Sequence, residues 1–410
     1  MSRLGLKQVH TSFRLSQGLT AGTKVNSYDV VVIGAGAAGA AAAFHLSQAG
    51  HRVTVLEKDG GSEEPSLQSH HWRIKPCGGG MAASVQQWFP FPLAPAVDEV
   101  IERVEFSWCL TDPVVAELPG SAPFWIVRRE RLDSLLIERA VERGADLHQG
   151  FEVTDLSRHE SGWRVLSADG RAIEARAVVI ADGSASPWPE RFGLGPGKPH
   201  CASTTSVRLE GRGALRPGSA RFEFGLVHHG FAWAFPMGDG VNVGVGTFIG
   251  RHAADSDAIL SQLLPDLGFS ADAGLRQQAQ LRVWNGHHPL HADGMVAVGD
   301  AASLCDPFLA EGLRPALMSG CEAASSLDLW LRGEQKDLSL YSQRMRARWG
   351  DSMAWGRRIA QVFYRFPKVG YQLGIKRPTA PQRIAQILSG EMGYGDIAQR
   401  VIKRLLLKRS

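Results

Sequence analysis

Two rhythms of apolar and polar residues organise this chain of 410 residues. Near-continuous apolar runs at 30–33, 53–56, 175–180 and 295–298 each end within two residues of a glycine or an acid, the pattern of short strands buried on both faces. An Ala-rich stretch between the first two runs reads as a helix. The segment 230–246 changes to a period of two, Gly-Phe-Ala-Trp-Ala-Phe-Pro-Met-Gly-Asp-Gly-Val-Asn-Val-Gly-Val-Gly, and predicts a hairpin with Phe231, Trp233 and Phe235 on one face. Helical spacing follows Val127. It returns around Pro315, which suits a first helical turn, and runs to about Leu331. A last amphipathic helix is predicted over 397–407, where Val401 and Leu405 stand beside Arg400, Lys403 and Arg404.

The turns between these elements carry the chemistry. Gly34-Ala35-Gly36-Ala37-Ala38-Gly39 joins the first strand to the Ala-rich helix, and Glu57 closes the second strand, which together make a dinucleotide-binding βαβ unit. Gly34 serves the tight turn, Gly36 lets a pyrophosphate approach the backbone, Gly39 permits close helix packing, and Glu57 can accept from a ribose hydroxyl. Asp182-Gly183 and Gly299-Asp300 each follow a strand end, where a doubly wound sheet binds its ligands, so Asp300 is placed to meet a cofactor's polyol chain. In Lys75-Pro76-Cys77-Gly78-Gly79-Gly80-Met81, three consecutive glycines fit neither helix nor strand propensity. Such a loop flexes or admits something planar against its backbone.

Composition narrows the class. A hydrophobic content of 44% and a charged content of 21% are those of a globular protein. Five cysteines, an odd number without CxxC spacing, favour a reduced, cytoplasmic setting over a disulfide scaffold. The apolar stretch 30–46 is short for a membrane span and broken by three glycines. The first 24 residues hold Arg3, Lys7, Arg14 and Lys24 and no acid, which suits either a targeting segment or an ordinary terminus. From Ser342 onward there are fifteen Lys or Arg and three acids, about twelve net positive charges in a chain of +4. A basic amphipathic end predicts peripheral contact with an anionic membrane, or a solvated cap on the domain. No recognition motif supports nucleic acid as a partner. The pairs His70-His71, His228-His229 and His287-His288 lack metal-ligand spacing, so no metal is expected.

With these motifs in this order, 28–335 resembles the p-hydroxybenzoate hydroxylase superfamily of FAD enzymes. The segment Val127-Arg128-Arg129-Glu130-Arg131-Leu132-Asp133 matches its R-x-x-hydrophobic-Asp pattern, which marks Arg129 as a flavin contact rather than a surface charge. Pro-Cys-Gly-Gly and the aromatic-x-Trp-x-Phe-Pro strand narrow the resemblance to the geranylgeranyl reductases, which saturate isoprenoid double bonds. Two departures stand out. Phe231 replaces a common Tyr, and Phe308-Leu309-Ala310-Glu311-Gly312-Leu313-Arg314-Pro315 differs from the chlorophyll-type pattern.

The resemblance implies an α/β fold: a Rossmann-type FAD-binding domain (25–88, 122–200 and 282–335) with an inserted antiparallel β-sheet substrate domain (89–121 and 201–281). A tail (1–24) and a basic helical C-terminal region (336–410) complete the chain. It implies FAD held by Gly34, Gly36, Ala38, Gly39, Glu57, Lys58, Gly80, Met81, Arg129, Asp182, Gly183, Gly299, Asp300, Pro307, Gly312 and Leu313. The helix start at Gly312 and Leu313 would stabilise negative charge on the reduced ring. Cys77, Gly78 and Gly79 are the implied catalytic loop, with Cys77 or a flavin-relayed proton as the acid. Phe231, Trp233, Phe235 and Pro236 are the implied wall of a prenyl channel, where plain sheet core is the alternative. With a single GxGxxG, an NADPH donor must bind without its own Rossmann domain, and reduced ferredoxin is equally open. A monooxygenase, or a non-catalytic flavin-binding carrier, would share every FAD motif.

Overall fold

The computed structural model describes residues 27–60, 75–118, 124–159, 162–248, 255–377 and 379–407. The first strand, Ser27–Ile33, lies parallel between Val53–Leu56 and Ala172–Ile180. Asp146–His148 and Met295–Ala297 continue the parallel run at its two ends. Val153–His159 and Gly162–Ser167 fold back antiparallel beside Ala172–Ile180. Val30, Val31 and Val32 are all fully buried, which is why this strand shows no polar alternation.

Small residues set the layer above the sheet. Helix Ala37–Gln48 packs on helix Leu313–Leu331, and a Cβ at Gly320 would stand 2.4 Å from the Ala38 carbonyl oxygen. A Cβ at Gly39 would stand 1.9 Å from the Gly34 carbonyl oxygen, so Gly39 acts through packing, as its place in the motif predicts.

A second sheet has seven strands in the order Gln277–Val283, His200–Glu210, Gly240–Thr247, Gly230–Met237, Ser219–Phe224, Arg103–Trp108, Thr111–Glu117. It departs from the expected all-antiparallel sheet at one seam. Ser219–Phe224 runs parallel to Arg103–Trp108, because those strands come from separate stretches of chain that no hairpin joins. The predicted hairpin forms, Gly230–Met237 against Gly240–Thr247. One of its faces, with Ala232, Ala234 and Val243, packs on helix Ser256–Asp266 through Leu260, Leu263 and Leu264. The other carries the aromatics. In a third, small sheet Phe124–Val127 pairs antiparallel with Gly80–Ala82 on one side and Val97–Ile101 on the other.

The C-terminal helices are built into the body of the protein rather than set beside it. The Tyr394 hydroxyl donates to Asp306 Oδ2 at 2.7 Å, and Tyr364 donates to the Phe308 carbonyl at 3.0 Å. Asp306 Oδ1 in turn accepts from the Phe308 and Leu309 amides at 2.6 and 3.0 Å. The loop leading to helix Leu313–Leu331 is thus held from the C-terminal side. The last helix spans Tyr394–Leu407, but the side chains of 401–410, including Lys403, Arg404, Lys408 and Arg409, lie outside the described residues, as do 1–26, His70 and His71.

Candidate active site

Where the two large sheets meet, a cavity of about 640 Å³ runs from the glycine turn to the aromatic hairpin. Its size is within the range of small-molecule and cofactor sites.

The turn end is built by backbone. Gly34 has φ +100°, and its Cβ would stand 2.5 Å from the Ala181 carbonyl oxygen, so only glycine fits. Glu57 accepts from the Ala35 amide at 2.9 Å and the Asp59 amide at 3.1 Å, which fixes its carboxylate at the strand end. Lys58 and Asp59 line the same end.

Positive charge in the middle of the cavity is organised by one buried carboxylate. Arg129 donates to Asp133 through Nε at 3.1 Å and Nη2 at 2.9 Å, and Lys75 Nζ donates to Asp133 Oδ2 at 2.9 Å. Asp133 is 1% exposed. Burial would raise its carboxyl, but the charges of Arg129 and Lys75 hold it below the usual range. Burial likewise works against the Arg129 cation, and Asp133 and the Cys77 thiol within its reach hold its pKa up. A Cβ at Gly36 would stand 3.3 Å from Lys75 Nζ, so this ammonium covers the glycine turn. The expectation for Arg129 thus extends to two side chains without a predicted role. Asp133 was visible as the acid of the R-x-x-hydrophobic-Asp pattern; Lys75 carried no signal beyond its place beside Pro76.

Three carboxyls line the same cavity, of which Asp300 feels the charges of Arg129 and Lys75. Burial raises Asp182 and Asp300 to about 6 and Glu311 to about 7. Glu311 Oε2 accepts from Arg314 Nη2 at 2.6 Å, while its buried Oε1 has no hydrogen-bond partner. Gly312 caps the helix that starts at Leu313, and both line the cavity beside Gly299 and Asp300.

The glycine-rich loop forms the junction with the aromatic end, and each glycine has its own reason. A Cβ at Gly78 would stand 3.1 Å from the Phe235 ring and 3.2 Å from Trp233 Nε1. Gly79 has φ +78°, and its Cβ would stand 2.3 Å from the Val127 carbonyl oxygen. At Gly80 the obstacle is the Phe124 ring, 2.7 Å away. Cys77 Sγ accepts from the Gly79 amide at 3.4 Å. Asn242 ties loop to hairpin: it accepts from Trp233 Nε1 at 2.8 Å and donates to the Cys77 carbonyl at 3.4 Å.

Phe231, Trp233 and Phe235 do line the cavity, joined by Phe222, Phe248 and Phe124. Phe222 lies 5.1 Å from Phe235 and 5.5 Å from Phe231 between ring centres, and Phe248 lies 4.8 Å from Phe231. Phe222 was legible in the alternation of Arg-Phe-Glu-Phe; Phe248 lies just past its strand and Phe124 on another sheet, where period gives no signal. Pro236 does not line the cavity, because strand alternation turns it away from the face that Phe235 occupies. Gly39, Met81 and Pro307 are also absent from the lining; Met81 is fully buried beneath it, and Pro307 sits in the loop that Asp306 holds.

These residues fit a flavin dinucleotide. A glycine turn and a fixed Glu57 suit the adenosine half, two cations with a dedicated counter-ion suit a pyrophosphate, Asp300 suits a polyol, and a loop stripped of side chains suits a planar ring. The sequence profile of the DAO family, "FAD dependent oxidoreductase", matches residues 29–72 and 120–326. The menaquinone reductase of Mycobacterium tuberculosis is 28% identical over 372 residues, covering 84% of this chain and 85% of its own. Digeranylgeranylglycerophospholipid reductase 2 of Methanothermobacter thermautotrophicus is 29% identical over 347 residues, covering 80% and 85%. A solved geranylgeranyl bacteriochlorophyll reductase-like protein from Thermoplasma acidophilum has the same fold, with a TM-score of 0.72 at 18% identity over 88% of this chain and 91% of that one.

Proposed function

The chain belongs to the FAD-dependent oxidoreductase family, and from that premise we propose that it reduces carbon–carbon double bonds of an isoprenoid chain of the geranylgeranyl type. The observation that carries this reading is the seat of the Cys77–Gly80 loop, with the Arg129 and Asp300 half of the cavity on one side and an aromatic pocket on the other. The relatives named for reduction of prenylated lipids and quinones support it. Six aromatic side chains give an apolar acyclic substrate contact without a hydrogen bond to satisfy, which suits a prenyl chain better than a polar aromatic acid.

Bound FAD, in its reduced form, supplies the hydride. The chain's own residues must then orient the alkene, exclude water and provide a proton. Phe231, Trp233 and Phe235 hold the alkene against the loop, and an unactivated double bond makes that positioning the main contribution. For the proton, Glu311 is a candidate beside Cys77. Its Oε1 is unengaged and its value near neutrality keeps a proton available, whereas the Cys77 sulfur already meets the Gly79 amide and Arg129. Electrons would come from NADPH or a reduced ferredoxin, and the basic C-terminal region would bring the protein to the membrane that holds its substrate.

Product mass tests this. Anaerobic turnover with dithionite and a prenyl alcohol in detergent is expected to add two hydrogens per double bond. A product that instead appears only in air and carries an added oxygen would establish the monooxygenase.

A further inference from the structure

Among the described residues, seven large apolar side chains are exposed, and four of them are concentrated between 362 and 373: Val362 (70% exposed), Phe366 (61%), Val369 (54%) and Leu373 (56%). Val362 lies on helix Asp351–Arg365, Phe366 is the non-helical junction after it (φ −133°, ψ 65°), and Val369 and Leu373 follow on the short segments Pro367–Gly370 and Tyr371–Ile375. Monomers seldom expose so concentrated an apolar stripe without a use for it.

Charge identifies the occupant. From 357 to 377 the chain has Arg357, Arg358, Arg365, Lys368, Lys376 and Arg377 and no acid, and all six are exposed. Lys376 is engaged with Asp112 at 2.6 Å, and Arg358 lies over the Trp355 ring at 4.7 Å, so Arg365 and Lys368 stand closest to the stripe's centre in sequence. A second copy seated on this face would set like charges together. An apolar stripe bordered by Arg and Lys is instead complementary to an anionic bilayer, whose interface accepts both.

The reverse side of the same helices leads to the active site. Phe363 meets Phe224 at 5.4 Å and Phe308 at 5.2 Å between ring centres, and Phe224 meets the cavity residue Phe231 at 5.8 Å. Two layers of rings therefore separate the exposed stripe from the aromatic end of the cavity.

We propose that Val362, Phe366, Val369 and Leu373, flanked by Arg365 and Lys368, form the surface on which the protein rests on an anionic lipid membrane, with the aromatic end of the cavity toward the lipid. This rests on the reading that the substrate is a prenyl lipid, and it moves the membrane contact from the extreme C-terminus to 358–377.

Flotation of the full-length, flavin-loaded protein with vesicles tests it, using phosphatidylglycerol mixed with phosphatidylcholine and, separately, phosphatidylcholine alone. Wild type is expected to float with the anionic vesicles only. The double variant Phe366→Asp/Val369→Asp is expected to lose at least tenfold of that binding, with flavin content, melting temperature and turnover of a detergent-dispersed prenyl alcohol unchanged. The charge variant Arg365→Glu/Lys368→Glu, which leaves the apolar stripe intact, is expected to lose binding as well. Wild type that stays unbound, or a Phe366→Asp/Val369→Asp protein that floats like wild type, overturns the proposal. So does a wild-type dimer in light scattering that this variant dissociates, which would make the face a contact between copies. Flotation as expected, with no reduced product in detergent from either protein, would leave the membrane surface standing and remove the reductase.

Discussion

Glu311 shows what burial does to a carboxyl. Its ordinary value of 4.5 rises to about 7 because the chain around it removes water, although Arg314 pulls the other way. The proton is therefore favoured in the folded protein: this stabilisation is complete below the unfolded value and disappears as pH rises through about 7. In denaturant titrations, protein stripped of flavin is expected to be less stable at pH 8 than at pH 5, by at most about 3 kcal/mol from this group, and Glu311→Gln is expected to flatten that slope. In turnover, Glu311→Gln should cost on the order of 10²-fold, the scale of a lost general acid. Cys77→Ala, with flavin still bound, should cost less; the reverse order of effects would transfer the proton to Cys77. Asp133 is the complementary case, a carboxyl kept ionised by two cations. Asp133→Asn should release Arg129 and Lys75, destabilise the fold by about 3 kcal/mol as a broken buried ion pair does, and weaken flavin retention roughly tenfold on dialysis.

At the scale of elements, the turns were the most legible part of the chain and also the most restrictive. Gly34, Gly79 and Gly183 all sit at positive φ, but their surroundings differ. A Cβ at Gly183 meets nothing within 4 Å, while one at Gly79 would stand 2.3 Å from the Val127 oxygen. Gly183→Ala is therefore expected to cost about 1 kcal/mol, the left-handed backbone alone, and Gly79→Ala at least twice that in a denaturant titration. In the hairpin, Gly244 pairs across the sheet with Trp233, and its Cβ would fall 2.1 Å from the indole. Gly244→Ala is expected to displace Trp233 and raise the KM for the prenyl substrate while flavin content holds. The period-two pattern announced this hairpin and the common face of its aromatics, because alternation is a local property, while the resemblance alone suggested that this face lines a channel. The same alternation, applied strictly, excludes Pro236 from that face, although the family motif groups it with the aromatics.

Across the whole molecule, what the sequence concealed is long-range. The βαβ unit, the Asp-Gly turn and the Gly-Asp turn are written in runs of ten or so residues, and the α/β FAD-binding fold follows from them. The parallel seam between Ser219–Phe224 and Arg103–Trp108 joins residues more than a hundred positions apart, and no local pattern signals it. Nor does one signal that Tyr364 and Tyr394 would hold the Phe308 loop from the far end of the chain, since a tyrosine's hydroxyl partner depends on which elements pack together. The basic C-terminal region reads as an appendage from its charge count, but its described residues Tyr364 and Tyr394 brace the Phe308 loop.

On the proposed reading this cavity passes electrons to an alkene and needs no oxygen to do so. The direct measurement is anaerobic stopped-flow: reduce the bound flavin with dithionite to the equivalence point, mix with a prenyl alcohol in detergent, and follow the flavin absorbance. Reductase chemistry predicts recovery of the oxidised spectrum at a rate that rises with substrate, together with formation of the saturated product. A flavin that stays reduced under these conditions, and recovers only when air is admitted, would contradict it.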